Sequence, residues 1–146
     1  TGAIWSSPAS WAWIGWPFVA YLLVYGAISK AYSHPYTRLK KYPIVSWLIV
    51  SFFQGGFTYL MTLQAINNLT LSELTQPGPL LAAGICTCNL LAVYPLTQVY
   101  QHEEDARRGD LTMSRLLGVR GTFVCAILCF AAALAGFYVY FDGKPV

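Results

Sequence analysis

Four stretches of the chain are almost free of charge and long enough to matter: Trp11 to Ser29, Ile44 to Leu63, Leu80 to Tyr100 and Val124 to Phe141. None alternates apolar and polar residues in period two, so strands are excluded. As helices, at about 1.5 Å per residue, runs of this length cross a hydrocarbon layer of roughly 30 Å. The pattern therefore predicts an all-α, polytopic bundle of transmembrane helices in a single membrane domain, 1–146. Between the apolar runs lie three polar linkers, at 30–43, 64–79 and 101–122.

Composition agrees with that reading: 56% of the residues are hydrophobic, 16% aromatic and only 10% charged. A soluble domain of this size needs more charge to cover its surface. The first run has no basic segment before it and no small-residue cleavage site after it, so it reads as a permanent span and not as a signal peptide. The chain opens on Thr1 with little ahead of that span, and we expect it to be an internal piece of a longer protein.

Charge then orients the bundle. If the helices alternate in direction, linkers 30–43 and 101–122 share one side and hold Lys30, Arg38, Lys40, Lys41, Arg107, Arg108, Arg115 and Arg120. The other side has Lys144 alone. The positive-inside rule puts those two linkers in the cytoplasm and both ends of the chain outside, with a bacterial inner membrane as the expected location. Pinned at a membrane surface, the basic residues fit no nucleic-acid-binding motif.

Inside the spans, Gln54 and Asn89 stand near the middles of the second and third helices. Polar groups are costly there and face the bundle interior, where they line a pocket or bond between helices. Gly55 and Gly56 allow close helix approach, and Pro95 is expected to kink the third helix. Cys86, Cys88, Cys125 and Cys129 have no His or carboxylate company and read as small packing residues. Asn68-Leu69-Thr70 is a glycosylation sequon in the external linker.

The chemistry is concentrated in QHEEDARRGDLTMSRLLG, residues 101–118, which carries four of the chain's six acids. If the third helix continues past the membrane surface, Gln101, Asp105 and Arg108 share a stripe with Glu104 beside it. Gly109 then ends that helix, and Asp110 caps a short one over Leu111 to Leu117 that closes at Gly118. Two readings remain open. The segment is either a solvated helix end held by Glu103–Arg107 and Glu104–Arg108 pairs, or half of a Mg²⁺ and polyphosphate site, with carboxylate and amide oxygens as hard ligands. On the same face Arg38, Lys40 and Lys41 crowd together, either to hold a diphosphate or only to set topology and touch anionic lipid.

The sequence DARRGDLTMSRLLG resembles the second acidic motif of the UbiA-type intramembrane prenyltransferases, in which an acidic cluster leads into D-x-x-x-G-x-x-T-x-x-x-x-x-G. Asp105, Gly109, Thr112 and Gly118 fill that frame. AYSHPYTRLKKYPIVSWLIVSFFQGGF is similar to the family's tyrosine, proline and basic linker and the helix that follows it. The resemblance spans roughly Ala20 to Phe130. It implies a bundle of about nine helices, of which these would be the fourth to seventh, together with the rest of the full-length protein. The implied reaction is Mg²⁺-dependent transfer of an isoprenyl group from its diphosphate to a lipophilic, usually aromatic, acceptor. Carried over, Asp105 and Glu104 are the catalytic acids and Gln101, Glu104 and Asp105 the metal ligands. Tyr32, Arg38, Lys40, Lys41, Arg108, Gln54 and Asn89 form the substrate-binding set. The first acidic motif, N-x-x-x-D-x-x-x-D, is absent, so the chain alone is expected to be inactive. Many members have an acid where Gln101 stands. The competing class is a non-catalytic membrane subunit or transporter fragment whose basic loops bind lipid.

Overall fold

The computed structural model describes residues 16–33 and 42–142, and every regular element among them is helical. In chain order these are α1 (Trp16–Ser33), α2 (Pro43–Phe52), a π-helical turn (Phe53–Phe57), α3 (Thr58–Asn67), α4 (Leu71–Leu74), α5 (Pro77–Val99), α6 (His102–Arg107) and α7 (Met113–Phe141). Three helical stretches among the described residues are long and apolar enough to cross a membrane: Pro43–Asn67, Pro77–Val99 and Met113–Phe141. They correspond to the second, third and fourth expected spans. The first expected span overlaps α1, and its residues 11–15 lie outside the described residues.

Helix starts follow local chemistry. Pro43 and Pro77 occupy the first turns of α2 and α5, where a missing N–H costs nothing. α3 ends on Asn68 in the left-handed conformation, with φ 51°. The short α4 opens on a capping box: the Glu73 carboxylate accepts from the Thr70 hydroxyl at 2.6 Å and from the Thr70 backbone N–H at 2.7 Å. Those bonds, the hydroxyl's first, hold the Glu73 carboxyl below its ordinary range. The box therefore helps above the unfolded-state pKa and is lost as pH falls through the folded one.

α5 is the axis of the assembly and packs against α7, α2 and the π turn. α7 presents Thr122, Ala126 and Ala133, all buried, on one stripe, and turns Phe123, Ile127, Leu128, Leu134 and Tyr138 outward. Small residues let the two backbones approach closely, which is how helices gain packing energy where lipid removes the hydrophobic drive. Gly55 and Gly56 do the same for the π turn. A Cβ on Gly55 would stand 2.8 Å from the Cys86 carbonyl oxygen, and one on Gly56 2.8 Å from that of Ala83.

The interface between the first of these spans and α5 also repairs two breaks in the helical hydrogen-bond ladder. A π turn shifts its N–H groups out of α-helical register. Here the Gly56 N–H is taken by the Thr87 hydroxyl of α5 at 3.1 Å, and the Thr58 hydroxyl bonds the Phe53 carbonyl at 2.7 Å. Pro95 has no N–H to give the Leu91 carbonyl one turn back. The Trp47 indole Nε1 of α2 donates to that carbonyl instead, at 2.9 Å. α5 thus runs through Pro95 as one helix to Val99, with the proline fully buried.

This gives a compensating pair. Trp47→Phe should cost about 1–3 kcal/mol by leaving the Leu91 carbonyl unpartnered. In a Pro95→Ala background, where the backbone N–H returns, most of that cost should vanish. Denaturation of the four proteins in detergent measures it, and additive losses would show that the indole bond does not compensate for the proline.

Candidate active site at the acidic turn

Beyond Val99 the chain does not continue as one helix. Tyr100 and Gln101 form a turn, and α6 starts afresh at His102. The single helix expected to carry Gln101, Asp105 and Arg108 on one stripe is therefore corrected: Gln101 and Arg108 are exposed, while Asp105 is buried. Gln101 still sets the register, because its carbonyl accepts the Asp105 N–H at 2.8 Å.

Gly109 ends α6 as its position in the sequence suggests. With φ 70° it occupies the left-handed position of a Schellman motif. The Gly109 N–H bonds the Ala106 carbonyl at 3.1 Å, and the Asp110 N–H bonds the Asp105 carbonyl at 2.9 Å. The Arg115 guanidinium, from the first turn of α7, donates Nη1 to the carbonyls of both Asp105, at 3.3 Å, and Asp110. One planar cation thus holds the turn closed from the inside.

The helix after the turn begins at Met113, so its N-cap is Thr112 and not Asp110. Asp110 is buried in the loop at 3% exposure. Gly118, with φ 66° and ψ 171°, interrupts α7 where the short helix is expected to close. The Thr122 hydroxyl donates to the Gly118 carbonyl at 2.8 Å and approaches that of Ser114 at 3.3 Å, so the break is satisfied internally.

Ser114 ties the turn to the bundle. Its backbone N–H reaches Oε1 of Gln98 on α5 at 3.4 Å, and its Oγ bonds His102 Nε2 at 2.8 Å. Gln98 and Ser114 are both buried. Within this frame Asp105 is 4% exposed, and among the described residues its Oδ2 has no hydrogen-bond partner. A buried carboxylate oxygen without a donor or cation is costly, and native structures keep few of them.

The other expected site residues are less concentrated. Glu104 and Arg108 form an ion pair at 2.7 Å with side chains 51% and 60% exposed, as the solvated-helix reading anticipates. Exposed pairs of this kind contribute a few tenths of a kcal/mol, about 0.3–0.5. No Glu103–Arg107 pair exists among the described residues. Among the described residues Asn89 bridges no helices; its amide donates to the Ile85 carbonyl of its own helix at 3.1 Å. Gln54 is exposed and borders a cavity with Tyr32. Arg38, Lys40 and Lys41 lie outside the described residues. Among the described residues no three His, Cys, Asp or Glu side chains gather in a way that would hold a metal ion by themselves.

The motif frame now has a physical content: Gly109 and Gly118 supply the two positive φ values, Thr112 opens α7, and Asp105 is the carboxylate they enclose. The profile of the UbiA prenyltransferase family matches residues 1–146, the whole chain. The chain belongs to this family. It is thus an integral membrane protein of prenyltransferase type, and the match extends past both ends of the Ala20–Phe130 stretch that carries the visible resemblance. Neither the curated proteins nor the solved structures gave a match.

Sequence reasoning missed Gln98, His102, Ser114 and Arg115 as organisers of the turn. Gln98 gave a signal, being a polar residue one turn from the end of an apolar helix. The Arg115 bonds go to backbone carbonyls, which no spacing rule announces.

The left-handed position at Gly109 is testable by substitution. Gly109→Val should lose about 1–2 kcal/mol from backbone strain, whereas Gly109→Asn should retain most of the stability. Equal melting temperatures for the two variants would contradict the φ assigned to this residue.

Proposed function

We propose that this chain carries the diphosphate-binding half of a membrane prenyltransferase, which moves an isoprenyl group from its diphosphate to a lipophilic acceptor, aromatic in the usual case. The observation that supports this best is Asp105: a carboxylate held almost entirely out of solvent, with Oδ2 unpartnered among the described residues. An ionised oxygen in that setting calls for a cation. Mg²⁺ suits it, since this ion takes one or two protein carboxylates and completes its shell with water and substrate phosphate. Asp105 would hold the ion; Glu104, paired with Arg108 on the exposed face of α6, and the exposed Gln101 would have to turn inward to add their oxygens. When bound, the ion would neutralise the charge that grows on the leaving diphosphate.

The chain's own residues would do the rest. Arg115 and the Schellman turn fix the Asp105 backbone, so that its carboxylate need not reorganise as charge develops. Arg38, Lys40 and Lys41, on the face we assign to the cytoplasm by the positive-inside rule, would supply cationic partners for the terminal phosphate. The apolar helices would exclude water from an allylic carbocation, which water would otherwise capture. The remaining ligands would come from the first acidic motif, on other helices of the full-length protein.

Asp105→Asn in the full-length protein should lower prenyl transfer by about a hundredfold or more, as removal of a principal electrostatic stabiliser does. Its stability without substrate should not fall, because an uncompensated buried charge is lost. Glu103→Gln, on an exposed side chain, should cost little. Near-full Mg²⁺-dependent transfer by Asp105→Asn would reduce the segment to a charged helix end.

A further inference from the structure

The two faces of α7 are unlike. Toward α5 it presents Thr122, Ala126 and Ala133, all buried, and Gly136, where an added Cβ would stand 2.7 Å from the Ile85 side chain. On the side turned away from α5, Arg120, Val124, Ile127, Ala131, Leu134 and Tyr138 recur at alternating spacings of four and three residues, which makes one straight stripe on a helix. Every member is exposed, Leu134 by 70% and Tyr138 by 72%. The stripe lies past the break at Gly118, in the regular part of the helix.

Size, length and charge say what covers this stripe. Helix contacts inside the bundle use small residues, whereas the stripe is mostly long and branched side chains, which suit fluid acyl chains better than a second backbone. From Arg120 to Tyr138 the helix rises about 27 Å, close to the roughly 30 Å of a hydrocarbon core. It has a cation at one end and a phenol at the other, as side chains at the two membrane interfaces do. No hydrogen bond or ion pair among the described residues engages Arg120, and α7 carries no acid from Met113 to Phe141. A further helix laid on this face would bury the guanidinium unpaired, which is costly unless that helix brought an acid. A phospholipid meets both needs, since its phosphate takes the guanidinium and its chains cover the ridge.

Location agrees. Arg120 stands at the end of the bundle that carries the acidic turn, the side the positive-inside rule gives to the cytoplasm and its anionic leaflet. The other arginine of α7 is already committed: Arg115 turns inward and donates to the carbonyls of Asp105 and Asp110. One arginine thus holds the turn, and the other remains for the membrane.

We infer that α7 stands on the perimeter of the complete protein, with this stripe in lipid and Arg120 bound to the phosphate of an anionic phospholipid. The test uses the full-length protein, made cysteine-free, in nanodiscs of mixed phosphatidylglycerol and phosphatidylcholine. Nitroxide labels on Ile127→Cys and Leu134→Cys should meet molecular oxygen freely and a water-soluble nickel chelate little, while a label on Ala126→Cys, facing α5, should meet neither. Labels at 127 and 134 shielded from both reagents would mean that another helix or a second copy covers the face, and ready access of nickel would mean water; either result overturns the inference. For the headgroup, a bimane on Val124→Cys, one turn from Arg120, should be quenched about fivefold more by spin-labelled phosphatidylglycerol than by spin-labelled phosphatidylcholine, the enrichment that one arginine gives near a membrane surface. Arg120→Gln should remove that preference and leave oxygen access at 127 unchanged. A preference absent from the parent protein, or equal in the two proteins, would overturn the assignment of Arg120. So would its loss on adding inorganic diphosphate with Mg²⁺, which would give the guanidinium to a soluble anion instead. None of these readouts involves prenyl transfer, so the inference stands or falls apart from the proposed reaction.

Discussion

Inside a bilayer every backbone N–H and carbonyl must find a partner within the protein, and the fold rests on how that demand is met where the helices are imperfect. The first of the three spans is interrupted by the π turn over FQGGF, and α5 by Pro95. Each break is mended by the opposite helix, through Thr87 in one case and Trp47 in the other. The two irregularities thus act as reciprocal locks. They fix the rotation of α5 against its neighbour, and the two glycines at the π turn remove the side chains that would prevent the approach.

Once α5 is fixed, its last turn fixes the chemistry. Gln98 receives the Ser114 backbone, Ser114 bonds His102, and Arg115 bonds the carbonyls on both sides of Gly109. These contacts are satisfied, which makes Asp105 Oδ2, without a partner among the described residues, informative. Proteins retain such a cost where function requires it, because a site complementary to a ligand is incomplete alone. The ion pair on the outside of α6 is its counterpart: satisfied, solvated and energetically minor.

Much of this was legible in the sequence. Apolar run length and the absence of period-two alternation announce the helices, and Gly109 and Gly118 announce the turns they make. Asp105 stands out through the motif frame and not through spacing, since a stripe shared with Gln101 and Arg108 presumes a continuous helix that the chain does not form. Asp110 looked like an N-cap because the residue type fits, but Thr112 lies directly before the first helical residue and takes the position. Gln54 and Asn89 appeared equivalent as mid-span amides. One is absorbed by its own helix at Ile85 and the other is turned toward a cavity, and only the π turn, a tertiary feature stabilised by Thr87, separates them.

The central claim is that the buried charge of Asp105 is there to hold a metal-bound diphosphate. Calorimetric titration of inorganic diphosphate, with and without Mg²⁺, into the full-length protein and its Asp105→Asn variant tests this without any transfer chemistry. The account predicts binding that requires Mg²⁺ and weakens by about tenfold or more in the variant, the consequence of losing one charged contact. Equal, Mg²⁺-dependent affinity in the two proteins would contradict it.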